Sequence, residues 1–248
     1  MSFERLPYSS REEWLKLRGH GIGGSDVSCV VSQNPYRTNL QLWQEKTRKV
    51  PQTEFEDNRF TIYGRAVEEH LRGITQADFV GLISLTHTDE LLVRTDKPYL
   101  RGSLDGEIEV LEDFDFMTYF KKKRVSELEA EEEMPKPMHL TKGMKGVWEA
   151  KTTEVLSSMH KEKWNNVIPM NYYCQVLHYL YVTNYDFVIL TAQLTFEDVY
   201  KVKTHEIRHY GFMREEKLED LAYLEKETDK FWNGFVLTGI EPPLKIEF

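Results

Sequence analysis

The chain has 248 residues, of which 40% are hydrophobic and 12% aromatic, and its formal net charge at pH 7 is −9. This composition supports a hydrophobic core and excludes a disordered chain, and no run of about 18 apolar residues exists that would form a transmembrane helix. Because the first ten residues lack the apolar segment of a secretory signal, the sequence predicts a cytoplasmic protein, and its length fits a single domain over residues 1–248.

The first third of the chain is predicted to be helical. Ser25 or Asp26 is a suitable N-cap for the second helix. In the fourth helix, Val67, Leu71 and Ile74 recur at the i, i+4, i+7 spacing of one buried face. The expected helices cover residues 11–18, residue 25 or 26 to about 31, a segment capped by Thr38, and residues 60–76.

From residue 79 onward the pattern changes to short strands and two further helices. The strands are predicted at residues 79–86, 90–94, 100–110, 146–152, 186–194 and 199–210. An aromatic-rich helix follows Pro169 over residues 170–183, and a closing helix runs from about residue 212 to 235. This order predicts a mixed α/β fold of the α+β type, with a central mixed sheet of about five strands flanked by helices.

Residues 111–145 interrupt this pattern. They are highly charged, poor in aliphatic residues and contain the sequence Met134-Pro135-Lys136-Pro137. They separate two strands that would otherwise be hairpin neighbours, and loops of this length inside a domain are usually functional or mobile. We interpret the segment as an insertion with its own helix near residues 125–133.

The acidic charge is concentrated in one stretch. Between Glu107 and Glu133, ten acidic residues oppose four basic ones, so this stretch carries −6 of the net charge of −9. A basic surface elsewhere is therefore compatible with the overall charge, and acidic clusters also suit divalent metals. Cys29 and Cys174 are too few and too far apart for a Cys-x-x-Cys zinc site or an iron–sulfur cluster.

Three residues on two predicted strands form a candidate catalytic site. Asp105 lies at the polar end of one strand, and Glu149 and Lys151 alternate along another, so they share a face. Two carboxylates, with the carbonyl of Ala150 as a third ligand, can hold Mg²⁺, and Lys151 can orient the attacking water. The pattern suits phosphodiester hydrolysis, although Glu-x-Lys alternation is also common on solvated strands.

A third carboxylate comes from the helix over residues 60–76. On a helical wheel, Glu68 lies about 100° from Val67, at the edge of the buried face, while Glu69 lies at about 200° and faces solvent. Only Glu68 is therefore expected to reach a site beside the sheet, and Gly64, one turn earlier, would permit close approach of the helix. The alternative is a solvated surface pair of glutamates.

A glycine-rich segment from Arg18 to Ser25 leads into a helix. Free N–H groups and the helix dipole make such a terminus a candidate anion site. The Gly-Lys-Ser/Thr of a Walker A loop is missing. The alternative is a plain flexible turn.

The order of these motifs resembles a known family. Along the chain they are Trp14-x-x-Leu17-Arg18-x₆-Ser25, Gly64-x-x-x-Glu68, Ser103-x-Asp105-Gly106, Glu149-x-Lys151 and Gln175. This order resembles the YqaJ-type viral recombinase family, the family of phage lambda exonuclease, within the PD-(D/E)xK nuclease superfamily. The resemblance covers roughly residues 11–110 and 146–195 and implies a restriction-endonuclease-like core.

The resemblance also implies a function and roles for single residues. It implies two Mg²⁺ or Mn²⁺ ions bound by Glu68, Asp105 and Glu149, with Lys151 catalytic, and a 5′-phosphate pocket. The residues that correspond to that pocket are Arg18, Ser25, Ser103 and Gln175. Such enzymes digest one strand of duplex DNA 5′→3′ in phage recombination and pass the 3′ strand to a single-strand annealing protein. Members like lambda exonuclease form homotrimers, and a phage or prophage protein would act in the bacterial cytoplasm.

Two departures from the family pattern are visible. Leu104 replaces the proline of the usual Ser-Pro-Asp, and the insertion at residues 111–145 lengthens the link between the Asp105 and Glu149 strands. Three alternatives stay open: an endonuclease or nickase on the same fold, a DNA-binding or protein-interaction module with an inactive site, and an acidic DNA mimic.

Overall fold

The computed structural model describes residues 2–49, 58–87, 89–120, 134–156 and 161–245. The helices are α1 (Arg11–Gly19), α2 (Gly24–Val30), α3 (Asn39–Lys46), α4 (Arg59–Asp78), α5 (Met170–Thr183) and α6 (Leu218–Phe231). The strands are β1 (Phe3–Pro7), β2 (Ile83–Thr86), β3 (Glu90–Arg94), β4 (Arg101–Gly102), β5 (Gly106–Val110), β6 (Phe114–Phe116), β7 (Met138–Leu140), β8 (Lys145–Glu154), β9 (Phe187–Glu197) and β10 (Lys203–Met213). Within these ranges, no helix is long and apolar enough to cross a membrane.

A five-stranded sheet forms the centre of the fold, in the order β10-β9-β8-β5-β2. β8 and β9 run parallel, whereas the other neighbouring strands are antiparallel. A parallel pair needs a crossover connection, and α5 lies in the one that joins β8 to β9. The predicted class, a mixed α/β fold with about five strands in its central sheet, is confirmed.

Both faces of this sheet are covered. On one face, Val147 and Leu190 join the core that includes α2, α5 and α6. On the other face, Trp148 and Ile189 join the core beneath α4 and the β6–β7 hairpin. Successive residues of β8 and β9 therefore reach different cores, as alternation along a strand requires, and this explains why β9 is apolar on both faces.

Several predicted strand boundaries were wrong. The strand predicted from residue 79 begins at Ile83, because Phe79 is the C-cap of α4. The strand predicted over residues 100–110 is two strands, with β4 in a separate sheet of order β1-β3-β4 and β5 in the central sheet. β10 extends to Met213, so the closing helix starts later, at Leu218 after a 3₁₀ turn. β1 was not predicted.

The buried face of α4 is shifted from the predicted stripe. Leu71 is buried as expected, but Ile74 is 38% exposed and Thr75 is buried instead. A Cβ placed on Gly64 would lie 3.4 Å from Oγ1 of Thr152, which is ordinary contact. α4 therefore approaches β8 at Gly64, and the space there would also accept a Cβ.

The ends of the predicted insertion belong to the core. β5 and β8 pair directly, as expected of hairpin neighbours. β6 and β7 form a second hairpin whose Phe116, Met138 and Leu140 are buried in the core that also contains Leu71 of α4. The amide of Tyr119 also donates to the carbonyl of His209 on β10 at 2.7 Å. The helix predicted near residues 125–133 lies outside the described residues.

Candidate active site

The turn after β4 meets an open edge of β8 at Asp105. The pairing of β5 with β8 ends at Gly106 and Trp148, so the following residues of β8 present free backbone groups on that side. The amide of Ala150 there donates to Oδ2 of Asp105 at 2.9 Å. Because the N–H and C=O of one strand residue point to the same side, the carbonyl of Ala150 faces Asp105 as well.

Glu149 is a fully buried carboxylate with two partners on one oxygen. Its Oε1 forms an ion pair with Nζ of Lys151 and accepts a hydrogen bond from Nε2 of Gln175 at 2.7 Å. Its Oε2 is buried and has no hydrogen-bond partner among the described residues. An unpartnered carboxylate oxygen in the interior is costly unless a ligand completes it.

The ionisation of this pair follows from its surroundings. Burial raises the pKa of Glu149 to about 8; the charge of Asp105 adds to the rise, and Lys151 opposes it through its charge and its hydrogen bond. Burial lowers the pKa of Lys151, but the charges of Glu149 and Asp105 raise it further, so the net direction is upward. Lys151 therefore keeps its proton, while Glu149 titrates close to neutral pH.

Glu68 reaches the same site from α4, as the wheel predicts. Its Oε1 accepts a hydrogen bond from Nη2 of Arg72 at 2.8 Å, whereas Glu69 is exposed. Burial and the charge of Asp105 raise the pKa of Glu68. The structure therefore brings the three predicted carboxylates close enough for their charges to act on one another.

Within the described ranges, no three His, Cys, Asp or Glu side chains converge into a ready-made metal site. The carboxylate oxygens are instead bound by protein donors, namely Lys151 on Glu149, Arg72 on Glu68 and the amide of Ala150 on Asp105. The residues nevertheless fit a divalent cation. Mg²⁺ and Mn²⁺ prefer carboxylate and carbonyl oxygens, and Oε2 of Glu149 is a buried acceptor that a cation would satisfy.

The glycine-rich segment before α2 is buried and packed, so the flexible-turn alternative was wrong. A Cβ on Gly21 would lie 2.2 Å from the carbonyl oxygen of Tyr99, and one on Gly24 would lie 2.6 Å from the ring of Tyr179. Only glycine permits these approaches. Gly21 and Gly24 therefore allow the start of α2 to pack closely against β4 and α5.

A buried carboxylate, Asp26, organises the cations of this region. Its Oδ2 accepts the amide of Gly23, the N-cap of α2, at 3.1 Å and binds Nζ of Lys46 at 2.9 Å. Gly23 is thus the cap rather than the predicted serine or aspartate, and Asp26 itself occupies the predicted anion site. Burial raises the pKa of Asp26, but the charges of Lys46, Arg18 and Arg37 lower it well below its usual value.

Arg18 and Ser25, two residues of the predicted phosphate pocket, are in contact. Nη2 of Arg18 donates to Oγ of Ser25 and lies 3.5 Å from Oδ1 of Asp26. The guanidinium carbon lies 5.0 Å from the ring of Trp14. Because the Arg18 side chain stays 16% exposed, a ligand can reach it.

The other two predicted pocket residues make different contacts. Ser103 lies between β4 and β5, with its Oγ 3.4 Å from the hydroxyl of Tyr8. Ser103 therefore lies in a turn and not on the single strand predicted over residues 100–110. Nε2 of Gln175 contacts Glu149 and lies 3.0 Å from the hydroxyl of Tyr179.

Two residues of this site, Tyr179 and Arg72, were not predicted. Each follows a predicted site residue by four positions on its helix, Gln175 and Glu68 respectively, and that spacing places them on the same face. Burial and the charge of Glu149 raise the pKa of Tyr179, so its hydroxyl stays protonated. The i, i+4 spacing was the available signal for both.

Comparison with known proteins agrees with this fold and motif order. The YqaJ-like viral recombinase domain matches residues 13–186. The protein YqaJ of Bacillus subtilis is 28% identical over 241 residues, which make up 95% of this chain but 59% of that protein. This chain therefore spans about three fifths of the length of that relative.

Solved structures share the fold at low sequence identity. LHK-Exo, an alkaline exonuclease from Laribacter hongkongensis, superposes with a TM-score of 0.55 at 16% identity, covering 93% of this chain and 94% of that chain. LHK-Exo in complex with dAMP gives a TM-score of 0.58 with the same identity and coverage.

The central sheet and its flanking helices are therefore those of the restriction-endonuclease-like fold of such exonucleases. Within that class, this chain belongs to the family of the YqaJ-like viral recombinase domain.

Proposed function

We propose that the protein is a Mg²⁺-dependent 5′→3′ exonuclease that acts on double-stranded DNA in a phage-type recombination system. Family membership and the exonuclease neighbours support this proposal. The observation that carries it is Glu149, a buried carboxylate beside Asp105 and Lys151 whose Oε2 has no hydrogen-bond partner among the residues that the structure describes. Such a cluster suits a divalent cation and the hydrolysis of a phosphodiester.

The metal would be held by acidic side chains and one carbonyl. Glu68, Asp105, Glu149 and the carbonyl of Ala150 would bind Mg²⁺ or Mn²⁺, with two ions as the family resemblance implies. When bound, the ions would stabilise charge on the attacking and leaving oxygens of an in-line displacement.

Lys151 and Gln175 would prepare the site for the phosphate. Lys151 keeps its proton and places a positive charge where negative charge develops on the phosphate. It would also orient the attacking water. Gln175 fixes one oxygen of Glu149, while Oε2 has no hydrogen-bond partner in the described part of the chain.

The polarity of digestion would follow from recognition of a 5′-terminal phosphate. The guanidinium of Arg18 offers a planar fork of donors that suits a phosphate, and Oγ of Ser25 adds a donor beside it. Ser103 and Gln175 complete the proposed pocket. A terminal phosphate held there would place the next phosphodiester toward Asp105 and Glu149.

The biological setting is proposed from the family. The digested duplex would retain a 3′ single strand, which a single-strand annealing protein would receive, and the enzyme would work as a homotrimer. A phage or prophage enzyme of this kind would act in the cytoplasm of its bacterial host.

Digestion of matched linear and closed-circular duplexes, with Mg²⁺ or with a chelator, tests this proposal. We expect nucleotide release from the linear duplex only, and only with Mg²⁺. Cutting of closed circles would favour an endonuclease or nickase. DNA binding without any hydrolysis would favour a non-catalytic module.

A further inference from the structure

Arg72 connects two of the proposed metal ligands. Its Nη2 donates to Oε1 of Glu68 at 2.8 Å, on the same helix, and to the carbonyl oxygen of Asp105 at 3.0 Å. One nitrogen therefore ties α4 to the turn that carries Asp105. The Arg72 side chain is only 18% exposed, so solvent screens these contacts less than on an open surface.

The indole ring of Trp148 packs against the guanidinium of Arg72. The guanidinium carbon lies 5.6 Å from the centre of the Trp148 ring, within the range of a cation–π contact. Trp148 is itself held, because its Nε1 donates to Oγ1 of Thr75 at 3.2 Å and to Oγ1 of Thr191 at 3.0 Å. Thr75 follows Arg72 by three residues on α4, so Trp148 of β8 contacts this helix at two positions, Arg72 and Thr75.

The carboxylates need such a contact because they repel one another. Like charges gathered in one place disfavour one another's ionised forms, and Glu149 is fully buried, where solvent screens its charge least. Lys151 offsets this repulsion at Glu149, and Arg72 offsets it at Glu68. Glu68 alone reaches the cluster from a helix, so its position depends on what holds α4 to the turn.

We infer that Arg72 is a positioning residue of the metal site, which holds the Glu68 carboxylate against the Asp105 turn so that the ligands are arranged before a cation binds. This inference rests on the proposed function. Groups that orient metal ligands typically account for about 10–100-fold in metal affinity. Arg72 also carries a positive charge, so simple competition with the cation predicts the opposite effect, tighter metal binding when the charge is removed.

Mn²⁺ binding without DNA separates these effects. Free Mn²⁺ would be measured by electron paramagnetic resonance in titrations of wild type, Arg72→Gln, Arg72→Met and Arg72→Lys, with circular dichroism to verify folding. We expect the two neutral variants to bind Mn²⁺ about 10–100-fold more weakly. Arg72→Lys should recover part of the loss because it keeps a charged donor. Arg59→Gln, an exposed arginine on the same helix, should bind like wild type.

A double-mutant cycle tests whether Arg72 acts through Glu68. In a Glu68→Gln background, Arg72→Gln should weaken Mn²⁺ binding little further, since the group it positions is gone. Unchanged or tighter binding in folded Arg72→Gln or Arg72→Met would overturn the inference, as would additive losses in the cycle. Absence of Mn²⁺ binding by wild type would instead refute the proposed metal site itself.

Discussion

The side-chain nitrogen of Gln175 lies 2.7 Å from Oε1 of Glu149, the same oxygen that pairs with Lys151. α5 and β8 are thereby joined at the buried carboxylate. Both donors bind Oε1, and no described residue bonds to Oε2. Gln175, which the sequence assigns to the proposed phosphate pocket, therefore also contacts a proposed metal ligand.

Loss of the strand carboxylates should remove catalysis. Asp105→Ala and Glu149→Ala should each lower the rate of Mg²⁺-dependent nucleotide release by more than about 100-fold, since each removes a proposed ligand. Lys151→Ala should also lose nucleotide release, even if the variant still binds Mn²⁺. Release of labelled nucleotides from linear duplex would be measured alongside DNA binding, which should persist. Wild-type rates in Asp105→Ala would contradict the assignment.

Metal binding should strengthen as pH rises toward 8. The pKa of Glu149 is about 8, so below that pH a proton must leave before a cation can bind, and Mn²⁺ affinity should rise about tenfold per pH unit up to that value. Titrations at pH 6, 7, 8 and 9 measure this slope. Glu149→Gln should bind more weakly and without the slope. A flat profile in wild type would contradict the prediction.

In the absence of metal, the contribution of Glu149 to stability should fall as pH rises, whereas Mn²⁺ affinity should increase. The pKa of Glu149 is raised on folding, so between about pH 4.5 and 8 the folded chain holds a proton that the unfolded chain has lost. The contribution of Glu149 to the free energy of unfolding should therefore fall as pH rises through this window and level off above it. Denaturant unfolding of wild type and Glu149→Gln, compared at each pH, isolates this contribution.

The two adjacent glutamates of α4 should differ sharply. Glu68→Gln should lose most Mg²⁺-dependent activity, because Glu68 faces Asp105 and pairs with Arg72. Glu69→Gln is the matched control and should lose little, since Glu69 is exposed. Nucleotide release under identical conditions decides between them. Greater sensitivity at Glu69 would mean that α4 presents its other face to the substrate.

The sequence predicted which acidic side chains lie near one another better than it predicted where strands begin and end. The wheel placed Glu68 correctly because Val67 and Leu71 fix the helix phase near the site. The wheel was wrong at Ile74 because of a tertiary contact. Thr75 is buried there and forms hydrogen bonds with Trp148 and Thr191. No local pattern reveals such a contact between a helix and two strands.

The strand over residues 100–110 shows a second limit. The sequence predicted a single strand over this range, but the chain turns at Ser103 and passes from one sheet to another.

Asp26 shows a third limit of the sequence prediction. Short polar residues before a helix predict an N-cap. Asp26 is instead buried in ion pairs with Lys46 and Arg37, which are distant in sequence.

Only the middle of the insertion should be removable without loss of hydrolysis. Replacing residues 112–142 by a Gly-Ser link would remove Phe116, Met138 and Leu140, each of which is buried, at a cost of about 2–5 kcal/mol per side chain. Replacing residues 121–133 alone should keep hydrolysis of short duplexes intact. Thermal unfolding and nucleotide release test both variants. Complete loss of hydrolysis in the folded shorter replacement would show that the insertion builds the active site.

A 5′-phosphate on the DNA end should accelerate digestion through Arg18. The guanidinium of Arg18 lies beside Ser25, is backed by the ring of Trp14 and remains accessible. A charge-assisted contact to phosphate is worth roughly 1.5–3 kcal/mol, or roughly 10- to 150-fold in rate at limiting DNA. Linear duplexes with a 5′-phosphate and with a 5′-hydroxyl should differ by a factor in this range, and Arg18→Ala should erase most of the difference.

The comparison depends on separating the end contact from general attraction to the DNA backbone. Both substrates must be digested at matched salt, because backbone attraction falls steeply with ionic strength. Lys16→Ala is the matched control, since Lys16 lies on α1 two residues before Arg18, is 74% exposed and pairs only weakly with Glu12. It should lower the rate on both ends equally, if at all, and keep the phosphate preference. Equal rates on both ends in wild type would remove the end-recognition step, and with robust cutting of closed circles they would identify an endonuclease.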